Sequence, residues 1–230
     1  MKKAYIYLLL PLVFCFIFVQ NAEAQRYGKK KQQNRFNAGL ILGANLSQID
    51  GDLFIGFDKL GLRGGVEGVI YINKLLDINV GFMYVQKGSR TDEEITNTSF
   101  IPRDTEILLD YMEAPILLSL KFGDQTGNGC TLDLGVSYGR LINSQINSKE
   151  FPEKVSYNDL IDQLNSNEFC GVMQFNYLFS SKFRVGVVGS LQLNKLYEAE
   201  VMQPQREGET PQINFMRNYL IGIQAGYRFF

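Results

Sequence analysis

The residues with the most chemical potential in this chain are isolated charges of both signs at polar positions: Arg63, Glu67, Glu113, Asp133, Arg184 and Arg228. Such groups can act as general acids and bases, relay a proton, or neutralise one another where water is scarce. The chain contains no histidine. That removes Ser-His-Asp and Cys-His nucleophile arrangements and the histidine-dependent metal sites. Acidic pairs and runs remain at Asp50/Asp52 and Asp92/Glu93/Glu94. Asp50-Gly51-Asp52 resembles the opening of a calcium loop, but the later ligands are missing, so these acids read as solvated connections. Gly61 to Gly68 reads as small residues packed within a strand and not as a phosphate cradle. No catalytic, cofactor-binding or metal-ligating residue is assigned, and no cofactor is expected. The six charges read as a structural ion-pair network.

The elements that would position these charges are strands. Eight segments alternate apolar and polar residues with period 2. Ala38, Leu40, Leu42, Ala44 and Leu46 oppose Asn37, Gly39, Gly43, Asn45 and Ser47. Leu62, Val66 and Ile70 oppose Arg63 and Glu67, and Ile78, Val80, Phe82 and Tyr84 oppose Asn79, Gly81 and Lys87. Further such segments run over Tyr111 to Phe122, Thr131 to Gly139, Met173 to Phe179, Phe183 to Asn194 and Tyr219 to Phe229. Connections after the second, fourth and sixth segments are short. Those at 48–61, 89–105, 143–167 and 194–215 are long and carry net negative charge. Short turns at one end and long loops at the other are the pattern of an outer-membrane barrel. The third long loop is expected to carry a short helix, from Ser156-x-x-Asp159 and the spacing of Leu160, Ile161 and Leu164.

The N-terminus reads as an export signal: Lys2 and Lys3, an apolar run from Leu8 to Val19, then Ala22-Glu23-Ala24 before the cleavage site. The organisation expected is a signal peptide at 1–24, a basic periplasmic lead-in at 25–35 and a barrel domain at 36–230. Removing Lys2, Lys3 and Glu23 leaves 21 of 23 basic and 23 of 24 acidic side chains, net −2 against −1 for the whole chain. That near-balance gives no support for nucleic-acid binding. Cys130 and Cys170 start successive antiparallel strands, at opposite ends of the barrel, and are expected to be unpaired.

Alternation alone also suits a soluble, lipocalin-like barrel with its apolar side chains inside. The polar faces here are rich in Gly, Asn, Gln and Ser with few charges, which fits a cramped interior better than a wet exterior. Tyr84, Tyr138, Phe179, Phe183 and Tyr227 near segment ends suit interfacial aromatic girdles; Tyr71 has the parity of the polar face. The expected fold is all-β, an eight-stranded antiparallel up-and-down transmembrane β-barrel whose interior is filled by side chains.

The run from Arg35 to Ser47, Gly81-Phe-Met-Tyr-Val-Gln-Lys-Gly88, Tyr111-Met-Glu-Ala-Pro115 and the ending Gly226-Tyr-Arg-Phe229 resemble the PorT-like outer-membrane β-barrel proteins of the Bacteroidetes group. That resemblance implies an outer-membrane location, insertion through a C-terminal signal at Tyr227, Phe229 and Phe230, and by analogy a part in type IX protein secretion. The partners it implies are outer-membrane lipid, the outer-membrane assembly machinery and envelope or secretion-system proteins. Two roles follow: a non-enzymatic structural or accessory envelope barrel, or a cell-surface receptor or adhesin working through its acidic loops. A membrane enzyme is disfavoured by the missing histidine.

Overall fold

The computed structural model describes residues 35–52, 56–91, 105–123, 129–148, 163–198 and 215–229. Among these residues nine strands form: β1 (Phe36–Asp50), β2 (Lys59–Tyr71), β3 (Leu76–Arg90), β4 (Thr105–Gly123), β5 (Gly129–Ser148), β6 (Asn167–Leu178), β7 (Phe183–Gln192), β8 (Tyr197–Glu198) and β9 (Phe215–Arg228). β1 to β7 and β9 follow one another as antiparallel neighbours, and β9 pairs back onto β1, so eight strands close a barrel. Closure removes the free sheet edge that a bilayer would not tolerate. β8 is a two-residue addition within the fourth long connection, paired with Phe215 and Met216 at the start of β9.

Which face meets lipid follows from burial. Ile116, Val136, Met173 and Ile223 point outward and are 58%, 56%, 57% and 64% exposed. Asn79, Asp133, Glu168 and Asn176 point into the lumen and are buried. A soluble barrel would reverse this, so the lipocalin-like alternative fails. In β4 the outward positions are apolar from Met112 to Phe122, about eleven residues, which at a tilt near 45° span about 25 Å. That is the height of a bilayer's apolar band.

Several strands run further than alternation suggests. β4 begins at Thr105 and not near Tyr111, and β5 continues to Ser148, so the loops expected at 89–105 and 143–167 are partly strand. A register shift between Asp110 and Tyr111 leaves Ile142 as an extra residue on β5: Tyr111 faces Leu141, but Asp110 faces Asn143. This bulge turns Ile146 inward where unbroken parity would turn it outward. On β3, Gly88 holds φ = 142°. A side chain there would strike the carbonyl oxygen of Ile107, so glycine is required. The β3–β4 rungs skip from Val80–Ile116 to Met83–Glu113, because Pro115 has no N–H to donate. A Cβ on Gly81 would stand 2.9 Å from Pro115 Cγ, so the proline ring occupies the space the glycine vacates.

Cys130 and Cys170 are both free. Cys170 faces Ser137 on β5, seven residues from Cys130, or about 23 Å along the strand. The helix expected from Ser156 to Leu164 lies outside the described residues apart from its last positions. Residues 1–34, which hold the expected signal peptide and most of the expected lead-in, also lie outside them.

Candidate functional site: the layered lumen and its outer rim

The inward positions build a stack of layers from the short-turn end to the long-loop end. At the short-turn end Lys121 Nζ lies 2.7 Å from Asp77 Oδ1 and donates to the Asn73 carbonyl at 3.0 Å. The same ammonium sits 5.4 Å from the centre of the Tyr71 ring, whose hydroxyl accepts from Asn37 Nδ2 at 3.2 Å. Tyr71 therefore belongs to the lumen, as its parity required, and not to the aromatic girdle.

Above this lies a first charge cluster. Arg184 pairs with Glu67 across the barrel and lies 3.7 Å from Asp133; Arg228 Nε is 3.8 Å from Glu67. Asp133 also accepts from Ser119 at 2.5 Å, Asn176 at 2.9 Å and Asn79 at 3.3 Å. Two guanidiniums against two carboxylates leave no net charge. That balance is the condition for burying ions at tolerable cost. A cavity of about 10 Å³ adjoins the cluster, between Glu67, Asn79, Gln174 and Arg184, room for one water at most.

An apolar belt of Ile41, Met83, Leu117, Val172, Val188 and Leu220 crosses the lumen next. Beyond it is a second cluster. Lys87 Nζ lies 2.7 Å from Glu113 and 2.7 Å from Glu168, and 5.2 Å from the centre of the Tyr111 ring. Asn218 Nδ2 donates to Glu168 at 3.0 Å and to the Tyr111 hydroxyl at 3.3 Å, while its N–H donates to Gln192 at 2.9 Å. Above that an apolar cap of Ile49, Ile107, Leu109, Tyr111, Leu196 and Met216 closes the mouth. The cap is clasped from the loops. Asn165 N–H donates to the Leu196 carbonyl at 2.7 Å, and Leu196 N–H donates to the Met216 carbonyl at 2.8 Å.

All six charges expected inside are buried, but they do not form one network. Glu67, Asp133, Arg184 and Arg228 form the lower cluster and Glu113 joins the upper one. Arg63 enters no ion pair within 4 Å among the described residues; its Nη2 approaches Met83 Sδ at 3.6 Å. Arg63 sits beside the apolar belt, four residues or about 13 Å along β2 from Glu67, and Glu67 takes its partners, Arg184 and Arg228, across the lumen instead. The upper cluster's centre, Lys87, has visible polar parity in the sequence. Its partner Glu168 lies before the point where alternation becomes evident in β6, so the sequence offers no signal for it. Tyr111, Glu113 and Pro115 of the motif Tyr-x-Glu-x-Pro all face inward, as cap floor, ion-pair partner and packing partner of Gly81.

Outside, aromatic pairs mark the short-turn interface: Tyr177–Phe179 at 4.8 Å, Phe183–Tyr227 at 4.8 Å and Tyr227–Phe229 at 5.9 Å between ring centres. Tyr138 and Phe169, 5.3 Å apart, lie toward the other end. Among the described residues no group of His, Cys, Asp and Glu is arranged to hold a metal ion.

Residues 24–198 match the model of the outer membrane protein beta-barrel domain family. The chain belongs to that family. Its membership and its lipid-facing exterior place it in the outer membrane, in contact with lipid. Solved structures of similar fold include Ail, the attachment invasion locus protein of Yersinia pestis (10% identity, TM-score 0.43, covering 85% of this chain and 100% of that one). OprG of Pseudomonas aeruginosa is similar at 11% identity and TM-score 0.41, over 84% and 94% of the two chains. Neisserial surface protein A is similar at 9% identity and TM-score 0.42, over 85% and 98%. No curated protein sequence matches the chain.

Proposed function

We propose that this outer-membrane barrel is a non-enzymatic structural or accessory protein of the envelope that works through protein partners at its ends and not by passing solutes through its lumen. One observation carries the reading: two apolar layers, the belt and the cap, bracket the buried Lys87 cluster. An ion crossing either layer loses its hydration without gaining a partner, a large penalty. The test is conductance of the purified protein in planar bilayers. Closed bilayers are the expected result; steady ohmic current overturns the reading.

The finer assignment, a link to type IX secretion, rests on the PorT-like resemblance alone. A deletion strain is expected to lose export of type IX substrates; normal export removes the link. The receptor or adhesin reading draws on a different feature, the strand walls that rise past the apolar band. Deletion of residues 149–162 separates the two roles, because ligand binding is lost in the receptor while envelope function persists.

Delivery to the membrane completes the proposal. Residues 1–24 are removed on export, which N-terminal sequencing tests by finding Gln25 first. Residues 25–35 remain as a periplasmic lead-in. Tyr227, Phe229 and Phe230 form the signal read by the assembly machinery; Phe229→Ala with Phe230→Ala is expected to lower the yield of assembled barrel, read by heat-modifiable gel migration.

A further inference from the structure

We propose that the outer part of β5, Asn143 to Ser148, is a docking edge that takes an extended polypeptide segment of a partner protein as an added β-strand. The inference deepens the reading of this barrel as one that acts through protein partners, and rests on it.

The rungs between β5 and β6 end at Arg140–Asn167, followed by a last bond from Leu141 N–H to the Ser166 carbonyl at 2.8 Å. β5 continues to Ser148, paired on one side only, with Thr105 to Asp110 of β4. Its other side takes no backbone partner among the described residues. The opposite margin of this same three-stranded wall is treated differently. On β3, the Gln86 carbonyl accepts from Asn45 Nδ2 at 2.8 Å and the Gly88 carbonyl from Ser47 Oγ at 3.0 Å. One margin is sealed, and the other has no backbone partner among the described residues.

The β5 margin reads Asn-Ser-Gln-Ile-Asn-Ser, with no charge and no proline. Edges that must stay single are normally blunted by lysine, proline or an inward charge. None of these three is present from Asn143 to Ser148, and the bulge at Ile142 lies at the base of the edge. The edge is also held stiff: Ile146 packs against the apolar cap, as do Leu141, Leu164 and Tyr197, all four only partly buried. These half-covered side chains offer an added strand an apolar face to rest on.

The occupant follows from that chemistry. A row of N–H and C=O groups at strand spacing is matched by another main chain, not by lipid or by an ion. The bulge at Ile142 sets the faces. Ile146 lies on the cap side, and Asn143, Gln145 and Asn147 on the water side. The partner segment therefore alternates, with apolar residues toward Ile146 and uncharged polar residues toward Gln145. The segment sits beyond the apolar band, where a soluble or surface protein reaches it.

The test uses the full chain in lipid nanodiscs and, as probe, a nine-residue peptide alternating Val and Thr. Saturable binding is expected, with amide exchange of residues 143–148 slowed on saturation. N-methylation of alternate residues along one peptide edge is expected to weaken binding about tenfold or more, because main-chain pairing is lost. Ile146→Asp is expected to weaken it similarly while gel migration of the folded barrel stays unchanged. The proposal is overturned if the N-methylated peptide binds equally well or if no saturable binding occurs at millimolar peptide. It is also overturned if these amides are already protected in the free protein, or if Gln145→Cys forms disulfide-linked pairs in outer membranes, which would assign the edge to a second copy. Partner recruitment that survives Ile146→Asp overturns the edge alone and leaves the envelope reading standing.

Discussion

From Met112 to Phe122, β4 turns apolar residues outward and places Glu113, Ser119 and Lys121 inside; from Thr105 to Tyr111 most of its apolar residues turn inside instead, with Leu108 left on the outer face. There Ile107, Leu109 and Tyr111 are buried within the rim, and Glu106 and Asp110 face out. The strand's geometry does not change at the crossing, only the medium around it does. Lipid accepts the apolar side chains below, so the polar ones go inside and must pair there. Water surrounds the rim, so apolar residues retreat into a cap as in any soluble domain. β5 accommodates the same switch with its bulge at Ile142, which rotates Ile146 into the cap.

The two regions should therefore fail differently. The largest expected effect lies in the membrane zone: Glu67→Ala strips Arg184 and Arg228 of a buried partner and is expected to cost about 3–5 kcal/mol. Urea unfolding of the protein refolded in vesicles measures it, and a loss under about 1 kcal/mol would mean the cluster is hydrated. In the rim, Leu109→Ala removes a fully buried side chain from the cap and is expected to cost about 2–4 kcal/mol. Its signature is faster amide exchange confined to the rim, with the membrane zone still protected; uniform acceleration would show that the regions unfold as one.

A pair of arginine substitutions tests the change of medium directly. Val136→Arg, on the lipid face, is expected to cost about 2–3 kcal/mol, since the charge enters the apolar band. Gln145→Arg, in the rim, is expected to stay within about 0.5 kcal/mol. Equal costs in the same vesicle assay would place the membrane boundary above the rim. Arg63→Met gives a further contrast to Glu67→Ala. With no ion pair within 4 Å to break, it is expected to cost about 1 kcal/mol or less, again by urea unfolding.

Some of this was legible in the residues and some was not. Leu40 against Gly39, or Phe175 against Gln174, shows its face by local parity, because a strand's side chains must alternate whatever lies around it. The parity of Lys87 shows it polar, yet nothing near it indicates that Glu168, 81 positions away, is its partner. The switch in polarity along β4 was hidden as well. Leu109 and Tyr111 share their parity with Glu113, so the inward face contains both apolar and charged residues and loses its pattern at the crossing. Leu196 was unreadable for another reason: it precedes a two-residue strand, Tyr197–Glu198, too short to carry a period, and its burial depends on how the loop folds back.

Period-2 alternation over eight segments, the short and long connections between them, and the poverty of charge on the polar faces were sufficient by themselves for a lipid-facing barrel, since each reflects a local backbone rule or the medium. The tertiary structure alone decided which charges meet, where the lumen is sealed and which strand edge lacks a backbone partner among the described residues. Those depend on contacts between residues brought together only when the barrel closes, such as Arg184 and Glu67, 117 positions apart.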